Sequence, residues 1–200
     1  MTTEMQPVPL SATGTIIVVV GPSGAGKDTV MSYAAQRFAG DGRVCFARRV
    51  ITRSTDAGGE THESADPEAF THLERQGGFA VSWHAHGLSY GIRASVLDLL
   101  AEGATVVVNG SRSALPAFSA RFSRIKVVLI TARPDVLADR LVKRGRESLE
   151  RIEARLTRSV PALDPLYDTS VIDNSGTLVV AGEQLVSLIG QTLQPTRHAI

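Results

Sequence analysis

The first strongly hydrophobic segment of the chain is TIIVVV, a run of mostly β-branched residues that begins at Thr15. Polar residues do not alternate with the apolar ones, which is typical of a strand buried on both faces of a parallel sheet. A glycine-rich segment follows, and after it the segment TVMSYAAQRF predicts a helix. The chain therefore opens with a strand, a loop and a helix.

The same order of elements recurs through most of the chain. Further strands are predicted at 44–51, 104–109, 125–130 and 170–173, and further helices near 94–101 and at 116–122, 134–144, 150–160 and 179–193. Strands that alternate with helices favour an α/β fold with a mostly parallel sheet. We therefore expect three layers, with helices on both faces of the sheet.

The stretch 52–94 departs from this rhythm. It is polar, holds four of the five histidines, and contains the short strand-like pieces FAVSW and LSYGI. We interpret it as a small substrate-binding lobe inserted into a single domain over 14–193, whose core comprises 14–51 and 95–193. Residues 1–13, rich in Thr, Pro and Ser, are expected to be a disordered tail, and residues 194–200 a second tail.

Composition and charge narrow the class of protein. The chain is 43% hydrophobic and 20% charged, as in ordinary globular proteins. Its net charge of +1 argues against broad adhesion to nucleic acid or membranes. The single cysteine, Cys45, has no partner for an internal disulfide, and no secretory signal is recognisable, so we expect a cytoplasmic protein. The oligomeric state is left open, with a homodimer among the options.

The glycine-rich segment GPSGAGK, from Gly21 to Lys27, matches the first seven positions of the phosphate-binding motif GxxxxGK[ST]. Glycines let successive backbone N–H groups turn inward onto phosphate oxygens, and the following helix N-terminus adds partial positive charge. Lys27 is expected to reach the β- and γ-phosphates. The motif predicts phosphoryl transfer from ATP with Mg²⁺. The predicted loop contacts are Gly21, Pro22, Ser23, Gly24, Ala25, Gly26, Lys27, Asp28 and Thr29.

The eighth motif position is Asp28, where the motif has a Ser or Thr whose hydroxyl binds Mg²⁺. A carboxylate beside a triphosphate is repelled unless a cation lies between them, and hard divalent ions accept carboxylate oxygens. We hypothesise that Asp28 contacts Mg²⁺ directly or through water, with Thr29 as the alternative ligand. The other interpretation is that Asp28 is a first-turn helix residue favoured by the helix dipole.

A second irregularity lies at the end of the third predicted strand. Walker-type kinases often end this strand with an aspartate that helps to hold the metal, whereas this chain has Asn109. Asp28 then compensates for the missing carboxylate, or Asn109 hydrogen-bonds the substrate. Both interpretations remain open at the level of sequence.

These features resemble the guanylate-kinase-like family of P-loop kinases over roughly residues 15–177. The resemblance rests on GPSGAGK, Thr52-Arg53 followed by Gly59-Glu60, the WxxxGxxYG spacing from Trp83 to Gly91, RLVKRGRESLERIEARL from Arg140, and VIDN ending at Asn174. It implies that Arg53 and Tyr90 hold the acceptor phosphate and that Asn174 lies beside the adenine. The catalytic residues it implies are Lys27 and, around a lid at about 143–151, Arg140, Arg144 and Arg155.

One position departs from the pattern of guanylate kinases. Those enzymes carry a glutamate that pairs with the N–H groups of guanine, where this chain has Ser82. A serine cannot make that bidentate contact, and a site built to hydrogen-bond a base loses much affinity without its partner. GMP is therefore expected to be a poor acceptor.

A narrower resemblance indicates the acceptor. The segments GPSGAGKD, RVITR, DAGGE, FAVSWHAHGLSYG, VVVNGSR and KRGRE resemble the members of this family that use ATP to convert ribose 1,5-bisphosphate into 5-phosphoribosyl 1-diphosphate in phosphonate catabolism. Such a substrate has two phosphates and no base, so its pocket should be polar and basic. The predicted substrate-binding residues are Arg49, Arg53, His84, Tyr90, Asn109 and Arg112.

Two of these predictions carry a structural argument. Arg48 and Arg49 are adjacent on a predicted strand and should point to opposite faces, so at most one should enter the pocket. Arg112 follows the carboxyl end of a predicted strand, where α/β folds place ligands.

Two other functions are compatible with parts of this pattern. The first is a guanylate or other nucleoside-monophosphate kinase, which Ser82 disfavours. The second is a non-catalytic guanylate-kinase-like module that binds protein partners. Such modules typically degrade the phosphate loop, whereas Gly21, Gly26 and Lys27 are intact here.

Overall fold

A computed structural model describes residues 13–54, 61–144 and 163–193. Its central sheet has five strands, all parallel, in the order β2-β7-β1-β8-β9. Their bounds are Thr15–Val20 for β1, Val44–Ala47 for β2, Thr105–Asn109 for β7, Ile125–Thr131 for β8 and Thr169–Asp173 for β9. The predicted parallel sheet is confirmed, and β1 has the bounds that its sequence indicated.

The strand β1 lies in the middle of this sheet, and the residues from Ile16 to Val20 are fully buried. Alternate residues belong to two different cores. Ile17 and Val19 pack with helices α1 (Lys27–Arg37) and α6 (Leu178–Thr192), and with α5 (Pro134–Arg144). On the opposite face, Ile16 and Val18 pack with α3 (Val96–Ala101) and α4 (Leu115–Arg121). This burial on both faces explains the uninterrupted apolar run, and it confirms the three-layer fold.

A second sheet of four strands forms the inserted lobe, in the order β4-β3-β6-β5. Its strands are β3 (Arg49–Ile51), β4 (Glu63–Ser64), β5 (Phe79–Ala85) and β6 (Leu88–Arg93). Only β3 and β4 pair in parallel. Helix α2 (Pro67–Arg75) packs on this sheet, where Phe70 stacks on Phe79 with ring centroids 4.6 Å apart.

The single strand predicted over 44–51 is wrong. The chain forms two strands there, β2 in the central sheet and β3 in the lobe sheet, and Arg48 lies between them. The lobe sheet therefore begins at Arg49, three residues before the expected boundary. Continuous β-propensity could not reveal the change, because residues on both sides of Arg48 are equally suited to a strand.

Several expected segments lie outside the described residues. These are residues 1–12 of the first tail, the Gly59-Glu60 pair, the helix over 150–160, the last tail, and the expected lid beyond position 144 with Arg155. In the part of the chain that the structure describes, none of the helices combines the length and the apolar character needed to cross a bilayer.

Candidate active site

The phosphate loop joins β1 to α1, and its backbone requires glycine at specific points. Gly24 and Gly26 have φ values of 87° and 84°, in the left-handed region that favours glycine. A Cβ atom at Gly26 would also lie 2.4 Å from the Nδ2 atom of Asn174. The end of the loop at Gly26 therefore packs directly against the side chain of Asn174.

Lys27 is the first residue of α1 and folds back over the loop. Its Nζ donates hydrogen bonds to the carbonyl oxygens of Gly21, at 2.9 Å, and Pro22, at 3.2 Å. The ammonium group is thus held at the loop, where a phosphate would need its charge.

Two residues from distant parts of the chain contact the same loop. Asn174, which follows β9 and is only 4% exposed, donates from Nδ2 to the carbonyl oxygen of Ala25 at 2.7 Å. Arg140, on α5, donates from Nη2 to the backbone carbonyl of Asn174 at 2.9 Å. Its Nη1 lies 3.4 Å from the carbonyl oxygen of Gly24 and 3.5 Å from that of Ala25. Both side chains therefore contact the carbonyl groups of the loop.

The structure also brings the two irregular positions together. Asn109 is the last residue of β7 and is 5% exposed, and Asp28 lies in the first turn of α1. The Nδ2 of Asn109 donates to Oδ1 of Asp28 at 2.6 Å. In the described ranges, no group of three His, Cys, Asp or Glu side chains is arranged to hold a metal ion.

A cleft of about 580 Å³ opens beside this pair. Its walls come from α1, from the junction of β2 and β3, and from the end of β7. The lining residues are Asp28, Thr29, Met31, Ser32, Ala35, Phe46, Ala47, Arg48, Arg49, Thr61 and Asn109. Sequence reasoning missed Ser32, although it lies four residues after Asp28 on a predicted helix and therefore on the same face.

Both Arg48 and Arg49 line the cleft, so the expectation that at most one would enter it is wrong. The rule of alternating faces applies to a continuous strand, whereas the chain changes sheets at Arg48. Two adjacent cationic residues therefore line the same cleft.

The other predicted substrate residues are not among the lining residues of the cleft; they are Arg53, His84, Tyr90 and Arg112. The Arg49 guanidinium lies over the ring of Tyr90, 5.0 Å from its centroid, which is a cation–π contact. Arg112 begins a 3₁₀ turn after β7, and burial lowers the pKa of its guanidinium. The backbone carbonyl of Arg53 accepts a hydrogen bond from Ser64 Oγ at 2.6 Å. His84 is exposed on β5, opposite Ser89.

Ser82 is engaged within the lobe. Its hydroxyl donates to Oε1 of Glu74 on α2 at 2.6 Å. The residue that replaces the base-reading glutamate therefore ties the lobe sheet to its helix. Arg144 is the last residue of α5.

The fold and the loop define a class of protein, the P-loop kinases with a guanylate-kinase-like fold. Residues 17–158 match the family described as an AAA domain. The fold is similar to the crystal structure of guanylate kinase from Anaplasma phagocytophilum, with a TM-score of 0.68, 17% identity, and coverage of 92% of this chain and 89% of that chain.

Two curated relatives narrow the class. Ribose 1,5-bisphosphate phosphokinase PhnN of Agrobacterium fabrum is 54% identical, over 88% of this chain and 97% of the relative. The protein of the same name from Rhizobium etli is 49% identical, over 94% of this chain and 96% of the relative. The chain belongs to the family of PhnN ribose 1,5-bisphosphate phosphokinases. The kinase class and the narrower resemblance inferred from the sequence motifs are confirmed.

Proposed function

We propose that this chain transfers the γ-phosphoryl group of ATP to the 1-phosphate of ribose 1,5-bisphosphate, forming ADP and 5-phosphoribosyl 1-diphosphate. The observation that carries the proposal is that the phosphate loop and an arginine-lined cleft share helix α1. Asp28 and Thr29, directly after the loop, line the same cleft as Arg48 and Arg49. A phosphate donor on the loop and an anionic acceptor in the cleft would therefore be neighbours.

The reaction forms a bond between an oxygen of the 1-phosphate and the γ-phosphorus, and it breaks the bond from that phosphorus to the oxygen of ADP. A phosphomonoester has a second pKa of about 6, so the acceptor oxygen is already anionic near neutral pH. The main barrier is then the approach of two anions. Lys27, the loop N–H groups and nearby arginines supply the positive charge that stabilises the transferring group.

P-loop kinases generally use Mg²⁺ with ATP, and when bound the ion neutralises charge on the phosphate oxygens. Asp28 and Asn109 carry oxygen donors of the hard type that Mg²⁺ prefers, and they meet beside the loop. We propose that Asp28 holds the ion directly or through water. The hydrogen bond from Asn109 would orient the carboxylate for that task.

Among the remaining predicted residues, some make contacts that support a role in the reaction and others do not. Arg49 lines the cleft and rests on Tyr90, which supports a role for this pair in holding an acceptor phosphate. The roles of Arg53, His84 and Arg112 toward the substrate remain predictions. The roles of Arg140, Arg144 and Arg155 toward the transferring phosphoryl group remain predictions as well. A cytoplasmic enzyme would have ready access to ATP, in keeping with the location expected from the sequence.

The test offers ATP and Mg²⁺ with ribose 1,5-bisphosphate or with GMP in parallel assays. The release of ADP and the formation of the diphosphorylated product are both followed. We expect turnover with the sugar bisphosphate and little with GMP, because Ser82 donates to Glu74 and lacks the carboxylate that would read guanine. Turnover with GMP alone would overturn the assignment of the acceptor. The Lys27→Met variant serves as the control and should lose activity with either acceptor.

A further inference from the structure

We propose that Asn174, supported by Arg140, is a positioning residue that holds the phosphate loop in its phosphate-binding shape. The inference deepens the proposed function and rests on this loop being the donor site. It assigns Asn174 to the loop backbone, in contrast to the contact with adenine that the family resemblance implies.

The argument starts from the geometry of a phosphate loop. When successive N–H groups turn inward onto an anion, the carbonyl groups of the same peptides turn outward, and buried carbonyls need hydrogen-bond donors of their own. Lys27 donates to Gly21 and Pro22, and the N–H of Val30 donates to Gly26 at 3.0 Å. Gly24 and Ala25, in the middle of the loop, need other donors.

Asn174 and Arg140 provide donors for these two carbonyl groups. The 2.7 Å hydrogen bond from Asn174 Nδ2 to Ala25 is the shorter and better one, and the two contacts from Arg140 Nη1 are near the upper limit for hydrogen bonds. Ala25 is fully buried and Asn174 nearly so. Because water has little access to this point, another donor would not readily replace the amide.

The amide is itself anchored to the rest of the protein. The backbone N–H of Asn174 donates to Thr131 of β8 at 2.8 Å, and its backbone carbonyl accepts from Arg140 on α5. The loop is thus tied to β8 and to α5 through one residue. The Nδ2 atom also occupies the space that a Cβ atom at Gly26 would need, so a side chain at position 26 would clash with this amide.

The experiment compares a ligand with a base and a ligand without one. The dissociation constants of ATP and of inorganic tripolyphosphate, both with Mg²⁺, are measured by calorimetry for the intact chain and for Asn174→Ala. A residue that positions the loop affects both ligands alike, so we expect both constants to rise by a similar factor, about tenfold. A weaker affinity for ATP with unchanged affinity for tripolyphosphate would place Asn174 at the adenine and overturn the proposal.

Two more variants keep the test decisive. Asn174→Asp places a carboxylate oxygen against the Ala25 carbonyl, so its loss should exceed that of Asn174→Ala for both ligands. Arg140→Lys retains the charge but loses the two-pronged guanidinium, and it should weaken tripolyphosphate while the KM for the acceptor stays the same. If the alanine variant does not fold, as judged by its thermal transition, the comparison of the two ligands in Asn174→Asp decides. Unchanged tripolyphosphate binding in that variant would count against the proposal.

Ser175→Ala is the matched control. Ser175 follows Asn174 directly, but its hydroxyl accepts from the N–H of Arg133 at 2.7 Å and does not contact the loop. Both dissociation constants should be unchanged in this variant. Since tripolyphosphate binding involves no acceptor, the outcome is independent of whether ribose 1,5-bisphosphate is the true substrate.

Discussion

At the scale of single residues, the contacts of Asp28 say more about its function than its position in the helix does. In the first turn of a helix, an aspartate is favoured by the helix dipole whatever else it does. What distinguishes Asp28 is that a buried amide, that of Asn109, donates to its carboxylate at 2.6 Å, beside the phosphate loop and within the cleft. A role in metal binding and a role in helix stability therefore make different predictions.

We expect Asp28→Asn to raise the Mg²⁺ concentration for half-maximal activity by roughly tenfold, because the variant removes the negative charge but keeps the shape of the side chain. Titration of activity, and of ADP affinity, with Mg²⁺ measures the effect. Asp135→Asn is the control, since Asp135 also lies in the first turn of a helix but pairs with Arg133 on the surface. Equal Mg²⁺ dependence in the two variants would leave only the role in helix stability.

At the scale of elements, α2 is the helix that the sequence analysis missed. Its signals are nevertheless present in the sequence. Asp66 is the N-cap residue and accepts a hydrogen bond from the N–H of Ala69 at 2.7 Å, and Pro67 occupies the first helical position. Phe70 is buried, with 2% of its surface exposed, and in the next turn of the helix Glu74 accepts a hydrogen bond from the hydroxyl of Ser82. The polar composition of the stretch concealed a helix with a narrow apolar face.

We expect Asp66→Ala to lower the free energy of unfolding by about 1 kcal/mol, because it removes an N-cap hydrogen bond. Equilibrium unfolding in urea measures the change. Glu68→Ala, in the same exposed first turn but without a capping role, should cost much less. If the two variants are equally destabilised, the cap is not the source of the stability.

At the scale of the whole molecule, the two sheets meet through aromatic rings. Trp83 of the lobe stacks on Tyr90, with ring centroids 5.4 Å apart, and lies 5.8 Å from Phe118 of α4. Phe118 is fully buried among side chains of the central sheet. Because Arg49 rests on Tyr90, the packing of the core also sets the position of a residue that lines the cleft.

Phe118→Ala should therefore affect both stability and acceptor binding. Loss of a buried phenyl ring costs about 3–5 kcal/mol of unfolding free energy. We also expect the KM for the acceptor to rise while the KM for ATP changes little, since the ring lies on the lobe side of the central sheet. Phe38→Ala removes a half-buried ring that packs against the core on the opposite face, and it should destabilise the protein without that selective change. A proportional rise in both KM values would show only a general loss of structure.

The sequence by itself determined the elements whose signals are local. The apolar run of β1, the proline at the start of α5 and the glycine pattern of the phosphate loop are each complete within a few residues, so burial and backbone constraints could be inferred without knowing the fold. The same holds for the irregular residues at 28, 82 and 109, which identified the narrower family before any contact was known.

Only the tertiary structure decided which of these residues meet. Asn174 and Ala25 are 149 positions apart, and Asn109 and Asp28 are 81 apart, yet each pair is joined by a short hydrogen bond. Arg48 and Arg49 line one cleft because the chain changes from the central sheet to the lobe sheet at Arg48. This change depends on the pairing of β2 with β7 and of β3 with β6. Such pairings depend on how distant segments pack together, and local propensity does not predict them. The residue types that give the site its chemistry could therefore be predicted from the sequence, whereas their arrangement in space depends on the tertiary fold.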